Sequence, residues 1–135
     1  MIYLDTSALV KLIVREKESA DLQRWLARSD DRDHVTSVVG RIELMRAAAR
    51  SGSEEVVANA QRILAEDLDI LALTAAVVEA AEVIGPETLR SLDAIHLASA
   101  AQLGDALTTV VCYDRRLIEG CQALGYPFDS PGVPA

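Results

Sequence analysis

The sequence predicts an α/β domain built on a central, mostly parallel sheet, and three observations carry that expectation. Short apolar runs of β character alternate with longer helical patterns along the whole chain. Strands separated in this way are joined by right-handed crossovers, which lay them side by side in parallel. The chain has 135 residues, 50% of them hydrophobic, enough for one domain with a real core and too little for two comfortable ones.

The first strand is IYL at 2–4, followed by a helix over 7–14 whose Leu9, Leu12 and Ile13 form an apolar stripe. A second helix over 18–29 repeats the pattern with Leu22, Trp25 and Leu26. HVT at 34–36 is the second strand, and helices over 38–51 and 54–67 follow it. DILAL at 69–73 is the third strand, with a helix over 75–84 behind it and GPETL at 85–89 as a loop. A strongly apolar helix over 92–103 leads to LTTVVCY at 107–113, the fourth strand, and to a last helix over 115–124. YPFDSPGVPA supplies a short edge strand and then a Pro/Gly tail expected to fray from about residue 130. The whole of 1–135 reads as a single domain, with no repeat, linker or low-complexity tract.

Bulk properties narrow the function classes. The start MIYLD has no basic leader region, and Glu79 and Glu82 interrupt the longest apolar run before it reaches the roughly 18 residues of a membrane span. A soluble, cytoplasmic protein away from membranes is expected. Cys112 and Cys121 match no metal-site spacing and suggest no disulfide framework, so they read as reduced thiols. The formal net charge of −8 argues against broad, non-specific binding to nucleic acid. Acidity is compatible with a basic protein partner, and with a carboxylate pocket neutralised by divalent cations.

Four acids stand out on this scaffold. Asp5 follows the first strand and Asp114 the fourth, so both belong at the carboxyl edge of a parallel sheet, where such folds bind ligands. Glu43 lies in SVVGRIELMRAAAR, and Asp93 lies in the first turn of RSLDAIHLASAA. Each has a plainer explanation: Asp5 and Asp114 as N-caps, Asp93 as an anion at a helix start, Glu43 as a solvated helix face. Their company weakens those explanations. AIHLASAA is so apolar that its helix must be largely buried, and an uncompensated carboxylate at its entrance is costly. With no lysine near it in sequence, a hard Mg²⁺ or Mn²⁺ ion is the natural compensation, since such ions take oxygen ligands and keep waters. His96, one turn after Asp93, reads as a hydrogen-bonded core histidine, and His34 carries no functional signal.

MIYLDTSALVKL, SVVGRIELMRA, RSLDAIHLASA, VVCYDRRL and the final LGYPF, in this order and across nearly the whole chain, resemble the PIN domain of bacterial VapC toxins. The resemblance implies a PIN-like α/β/α sandwich and Mg²⁺-dependent endoribonuclease activity. It also implies a cognate VapB-type antitoxin that occludes the site, on a toxin homodimer. Asp5, Glu43, Asp93 and Asp114 match the family's acidic quartet, with Asp5 and Asp93 the foremost metal ligands. Thr6 and Ser7 match the hydroxyl residues that follow the first acid and are candidates for water or phosphate contact; as simple helix-start residues they need no such role.

The chemistry suits these residue types independently. In-line hydrolysis of a phosphodiester needs a deprotonated water, a neutralised non-bridging oxygen and a stabilised leaving oxygen, which one or two bound cations provide. Asp5, Asp93, Glu43 and Asp114 are then candidate metal ligands, with Glu43 or Asp114 also the candidate for orienting the water. RNA contact must come from local basic residues, the candidates being Lys11, Arg15, Arg41, Arg46, Arg90, Arg115 and Arg116, with Arg115 beside Asp114 the first choice. At 4% aromatic content, the chain lacks a base-stacking platform. The stripes at 7–14 and 18–29 are core-facing by default, with Trp25 a fair anchor for a partner helix.

Three alternatives define the tests. A phosphoaspartyl phosphohydrolase of the haloacid dehalogenase type would need an acid two residues after Asp5, where Ser7 stands. A metal-dependent DNA nuclease would share the site's chemistry, and a non-catalytic α/β interaction module would use the acids only as caps.

Overall fold

The computed structural model describes residues 1–134 and carries five strands, all parallel. In chain order they are β1 (Ile2–Leu4), β2 (His34–Ser37), β3 (Asp69–Leu71), β4 (Thr109–Val111) and β5 (Phe128–Asp129). The sheet order is β3-β2-β1-β4-β5, with Tyr3 of β1 opposite Val35 of β2 on one side and Val110 of β4 on the other. The helices are α1 (Thr6–Ile13), α2 (Ser19–Arg28), α3 (Val38–Arg50), α4 (Glu54–Glu66), α5 (Ala75–Ala81), α6 (Ser91–Ala101) and α7 (Arg115–Leu124).

Alternation along the strands creates the three layers. Ile2 and Leu4 point into one core, with Leu9 of α1, Leu22 of α2, Leu44 of α3 and Ile63 of α4. Tyr3, between them in sequence, points into the opposite core, with Leu97 of α6 and Leu117 and Cys121 of α7. Leu9, Leu22, Leu44, Leu97 and Leu117 are all fully buried. Removing each such side chain from water contributes about 1.5–3 kcal/mol. The expected α/β/α sandwich is therefore what the chain adopts.

Local chemistry sets the helix starts. Ser37, Ser53 and Thr74 accept backbone N–H bonds at the entrances of α3, α4 and α5, as N-caps do. Gly40 lets α3 lie against β2, because a Cβ there would collide with Thr36 Oγ1, itself bonded to the Leu4 carbonyl at 2.7 Å. At the far end, Gly125 takes φ 72° to end α7 in the left-handed conformation that a side chain would oppose.

Some expected elements are shorter than expected. The fourth strand, drawn from 107 to 113, pairs only over Thr109–Val111, because residues 104–106 turn as a 3₁₀ helix before it. The third covers Asp69–Leu71 rather than 69–73. The tail expected to fray is tied down at its start: Ser130 Oγ donates to the Cys112 carbonyl at 2.6 Å, and Tyr113 Oη donates to the Pro131 carbonyl at 2.7 Å. These bonds satisfy polar groups at the sheet edge, which is why the chain folds back there.

The order of the strands places the functional edge. The chain leaves β1 toward β2 on one side and returns to β4 on the other, so the helices after β1 and β4 diverge across opposite faces. The crevice at such a switch point lies beyond the carboxyl ends of the two strands. Asp5 and Asp114 open α1 and α7 at those ends.

Candidate active site

Asp5 caps α1, its Oδ1 accepting the Ala8 amide at 2.9 Å and the Ser7 hydroxyl at 2.7 Å. Asp114 caps α7, its Oδ1 accepting the amides of Arg116 and Leu117 at 2.9 and 3.2 Å. The capping explanation is thus correct for both acids, and both still line a single open cleft of about 680 Å³. Glu43, from the second turn of α3, and Asp93, from the first turn of α6, line it as well. Thr6, Ser7 and His96 complete the wall on the sheet side, with Arg90 and Arg116 at the cleft too.

The electrostatics follow from this crowding. Burial raises the Asp5 carboxyl to about 6, opposed by the Ser7 hydroxyl bond, and Asp114 adds a smaller upward push. Asp93 is raised by its own burial and then by the charge of Asp114, with a backbone bond from Arg90 acting the other way. Glu43 shifts downward, chiefly through its bond with His96 and, against the pull of burial, through Thr6 as well. Lys11 does not relieve the acids: its ammonium is held by Glu16 and Glu18 at 3.3 and 3.1 Å and lies 4.6 Å from the centre of the Tyr113 ring. Neither Arg90 nor Arg116 has an ion-pair partner among the described residues, which leaves two guanidinium groups beside four carboxylates.

The donor set suits a hard divalent ion, since these acids offer only oxygen and two of them bear raised proton affinity, chiefly through burial and then through the charge of Asp114. No group of three His, Cys, Asp or Glu side chains among the described residues is arranged as a ready ligand shell. One or two carboxylates with waters completing the coordination is the arrangement Mg²⁺ favours.

A family model described as the PIN domain matches residues 2–120. Ribonuclease VapC47 of Mycobacterium tuberculosis is 52% identical over 135 residues, covering 98% of both chains. The chain belongs to the PIN-domain family, among the VapC ribonucleases. VapC46 of the same species is 42% identical over 96% of this chain and 97% of its own. The fold agrees with that of M. tuberculosis VapC20, described as a sarcin-ricin loop cleaving toxin, at TM-score 0.73 and 20% identity, covering 93% of this chain and 96% of that one. VapBC2 from Rickettsia felis, solved bound to a DNA fragment from its promoter, matches at TM-score 0.63 and 17% identity over 96% of this chain and 98% of its own.

Within this VapC-family chain the geometry rearranges the expected supporting cast. Arg115, singled out for its place beside Asp114, lies outside the cleft: it is 92% exposed and pairs with Glu119 at 3.3 Å along α7. Its neighbour Arg116 lines the cleft instead, because one residue turns a helix by about 100°. Thr6 points its hydroxyl at Glu43 Oε1, 2.5 Å away, and Ser7 is engaged with Asp5. His96 is the core histidine expected, 4% exposed, yet it also faces the site: its Nε2 lies 3.2 Å from Glu43 Oε1 and its Nδ1 2.7 Å from the Tyr3 hydroxyl. Tyr3 has no counterpart in the sequence reading. The spacing of Asp93 and His96, three apart on one helix face, was the available signal for the histidine.

Proposed function

We propose that this chain is a Mg²⁺- or Mn²⁺-dependent endoribonuclease, the toxin of a toxin–antitoxin pair, working at the cleft of Asp5, Glu43, Asp93 and Asp114. The observation that carries the reading is the meeting of these four acids, from four separate elements, in one cleft that Arg90 and Arg116 also line. When bound, the divalent ion supplies charge neutralisation of the phosphate and activation of water. Asp5 and Asp93 are the residues that hold it. The Glu43 Oε1 is occupied by Thr6 and His96, and its other oxygen takes the proton side of a water facing the scissile phosphate. Asp114 offers the same service from the opposite wall. Arg90 and Arg116 hold RNA phosphates, so that binding depends on a local basic rim despite the net charge of −8.

The same acidity selects the protein partner. A basic VapB-type antitoxin, packed on the α1–α2 region beside Trp25 and carrying a positive side chain into the cleft, fits both the charge and the half-buried tryptophan. VapC names in pairs such as VapBC2 support this assignment, and a homodimer presenting two clefts is the form in which we expect the toxin to act. No helix among the described residues is long and apolar enough to cross a membrane.

Purified protein, freed of any partner, incubated with total cellular RNA and Mg²⁺, should produce new RNA ends at defined positions. Excess chelator and Asp93→Asn should each abolish them. Cleavage that survives chelation would overturn the metal mechanism, and cleavage of DNA with intact RNA would transfer the site to the DNA-cutting alternative.

A further inference from the structure

Behind the carboxylates runs a line of side chains from three different elements. Tyr3 of β1 is wholly buried, and its hydroxyl lies 2.7 Å from His96 Nδ1. The two rings meet edge to face, their centres 5.8 Å apart. On the other side of the imidazole, Nε2 lies 3.2 Å from Glu43 Oε1 and 3.2 Å from Thr6 Oγ1. Both nitrogens of a 4% exposed histidine are therefore spent inside the protein.

Proton bookkeeping gives the line a direction. An ionised carboxylate only accepts hydrogen bonds, so the nitrogen facing Glu43 must carry hydrogen. In a neutral imidazole that leaves Nδ1 bare, and a bare Nδ1 accepts from the Tyr3 O–H. The reverse tautomer would set a lone pair against the carboxylate. The last torsion of a glutamate side chain is soft and nearly two-fold, so a carboxylate at a cleft wall turns freely unless donors pin one oxygen. Here Thr6 O–H and His96 N–H reach the same oxygen, Oε1.

We propose that Tyr3 and His96 are positioning residues: the Tyr3 hydroxyl fixes the His96 tautomer, and the His96 Nε2–H fixes the orientation of the Glu43 carboxylate in the cleft. The catalytic consequence rests on the nuclease reading above. Outer partners that orient ligating or water-binding side chains typically change activity by about 10- to 100-fold.

The test begins without catalysis. The chain has only two histidines, so ¹⁵N labelling of histidine in the metal-free protein resolves the ring nitrogens of His96 from those of His34. His96 should show a protonated Nε2 and a bare Nδ1, and Tyr3→Phe, which keeps the buried ring, should give a mixture of tautomers. On a synthetic RNA carrying a site mapped from total cellular RNA, Tyr3→Phe and His96→Leu should lower kcat about 10-fold or more with KM within about twofold. His96→Gln keeps an N–H toward Glu43 and should recover most of kcat, and adding Tyr3→Phe to it should cost nothing further. A merely structural role would lower melting temperature in all four variants without that pattern. Protonation of Nδ1, whether or not Nε2 also carries hydrogen, or equal losses from His96→Gln and His96→Leu in folded proteins, would overturn the proposal. Wild-type protein that cleaves no RNA would instead overturn the nuclease reading, with the tautomer still deciding whether Tyr3 and His96 form the line described.

Discussion

Ser7 and Tyr113 are joined across the sheet edge: the Tyr113 amide donates to Ser7 Oγ at 2.9 Å, and the same hydroxyl donates to Asp5 Oδ1 at 2.7 Å. One serine thereby couples the segment after β4 to the first acid of the cleft, over 106 residues of sequence.

Ser7→Ala removes both bonds and strands a partly buried amide. The expected cost is about 1–3 kcal/mol of stability, read by urea unfolding at neutral pH. Because the Ser7 bond is the largest influence holding the Asp5 carboxyl down, its loss should also raise the proton affinity of Asp5, observable by NMR titration of the carboxyl carbon. An unchanged unfolding midpoint would contradict this account of the edge.

Asp5 gives a pH dependence of definite sign. Burial lifts its carboxyl from 3.8 to about 6 in the folded protein, so the folded chain binds that proton more tightly than the unfolded one. This contribution to stability is fully present below about pH 4 and is lost as pH rises through about 6. Asp5→Asn keeps the cap and removes the charge, so in metal-free protein it should be more stable than wild type at neutral pH, by up to about 3 kcal/mol. The two proteins should converge toward pH 4. Denaturant unfolding of both across pH 4–8 checks the difference, and a variant less stable than wild type at pH 7 would refute it.

Asp93 bears the same strain, raised first by its own burial and then by the nearby charge of Asp114. Metal-free Asp93→Asn should melt above metal-free wild type at neutral pH, while Mg²⁺ should raise the melting temperature of wild type more than that of the variant. A simple helix-start aspartate would behave differently, its loss costing about 0.3–1 kcal/mol with no response to metal. Thermal melts of both proteins with and without Mg²⁺ separate the two cases.

Adjacent arginines should behave differently. Arg116→Ala removes a guanidinium from the cleft and should raise KM for RNA and flatten its salt dependence, whereas Arg115→Ala loses only an exposed pair with Glu119, a contact of little energetic weight. Initial cleavage rates at two salt concentrations test this, and a larger defect in Arg115→Ala would restore the role its sequence position suggested.

Much of this architecture was legible because it is encoded locally. Apolar runs such as IYL and TVV form strands, and the helix starts at Ser37, Ser53 and Thr74 are announced by side chains that cap their own backbone. Asp5 and Asp114 could be placed at one edge because a parallel sheet puts every strand's carboxyl end on the same side. The same local logic made the capping and the functional explanations look like rivals. In the folded chain Asp5 and Asp114 do both, one oxygen accepting the helix amides while the carboxylate lines the cleft.

The sequence by itself therefore determined the element order, the parallel sheet and the place of Asp5 and Asp114 at its edge, since periodicity, caps and crossover rules act over a few residues or over whole strands. Tertiary structure alone decided which side chains serve those acids. Tyr3 meets His96 across 93 residues and Glu43 meets His96 across 53, distances over which no local pattern reports a hydrogen bond. It also decided that Arg116 rather than Arg115 enters the cleft, a choice set by the rotation of α7 as Leu117 and Cys121 pack into the core. The tail at Ser130 and Pro131 was decided in the same way, because backbone groups near the end of β4 offered hydrogen bonds that a Pro/Gly composition cannot announce.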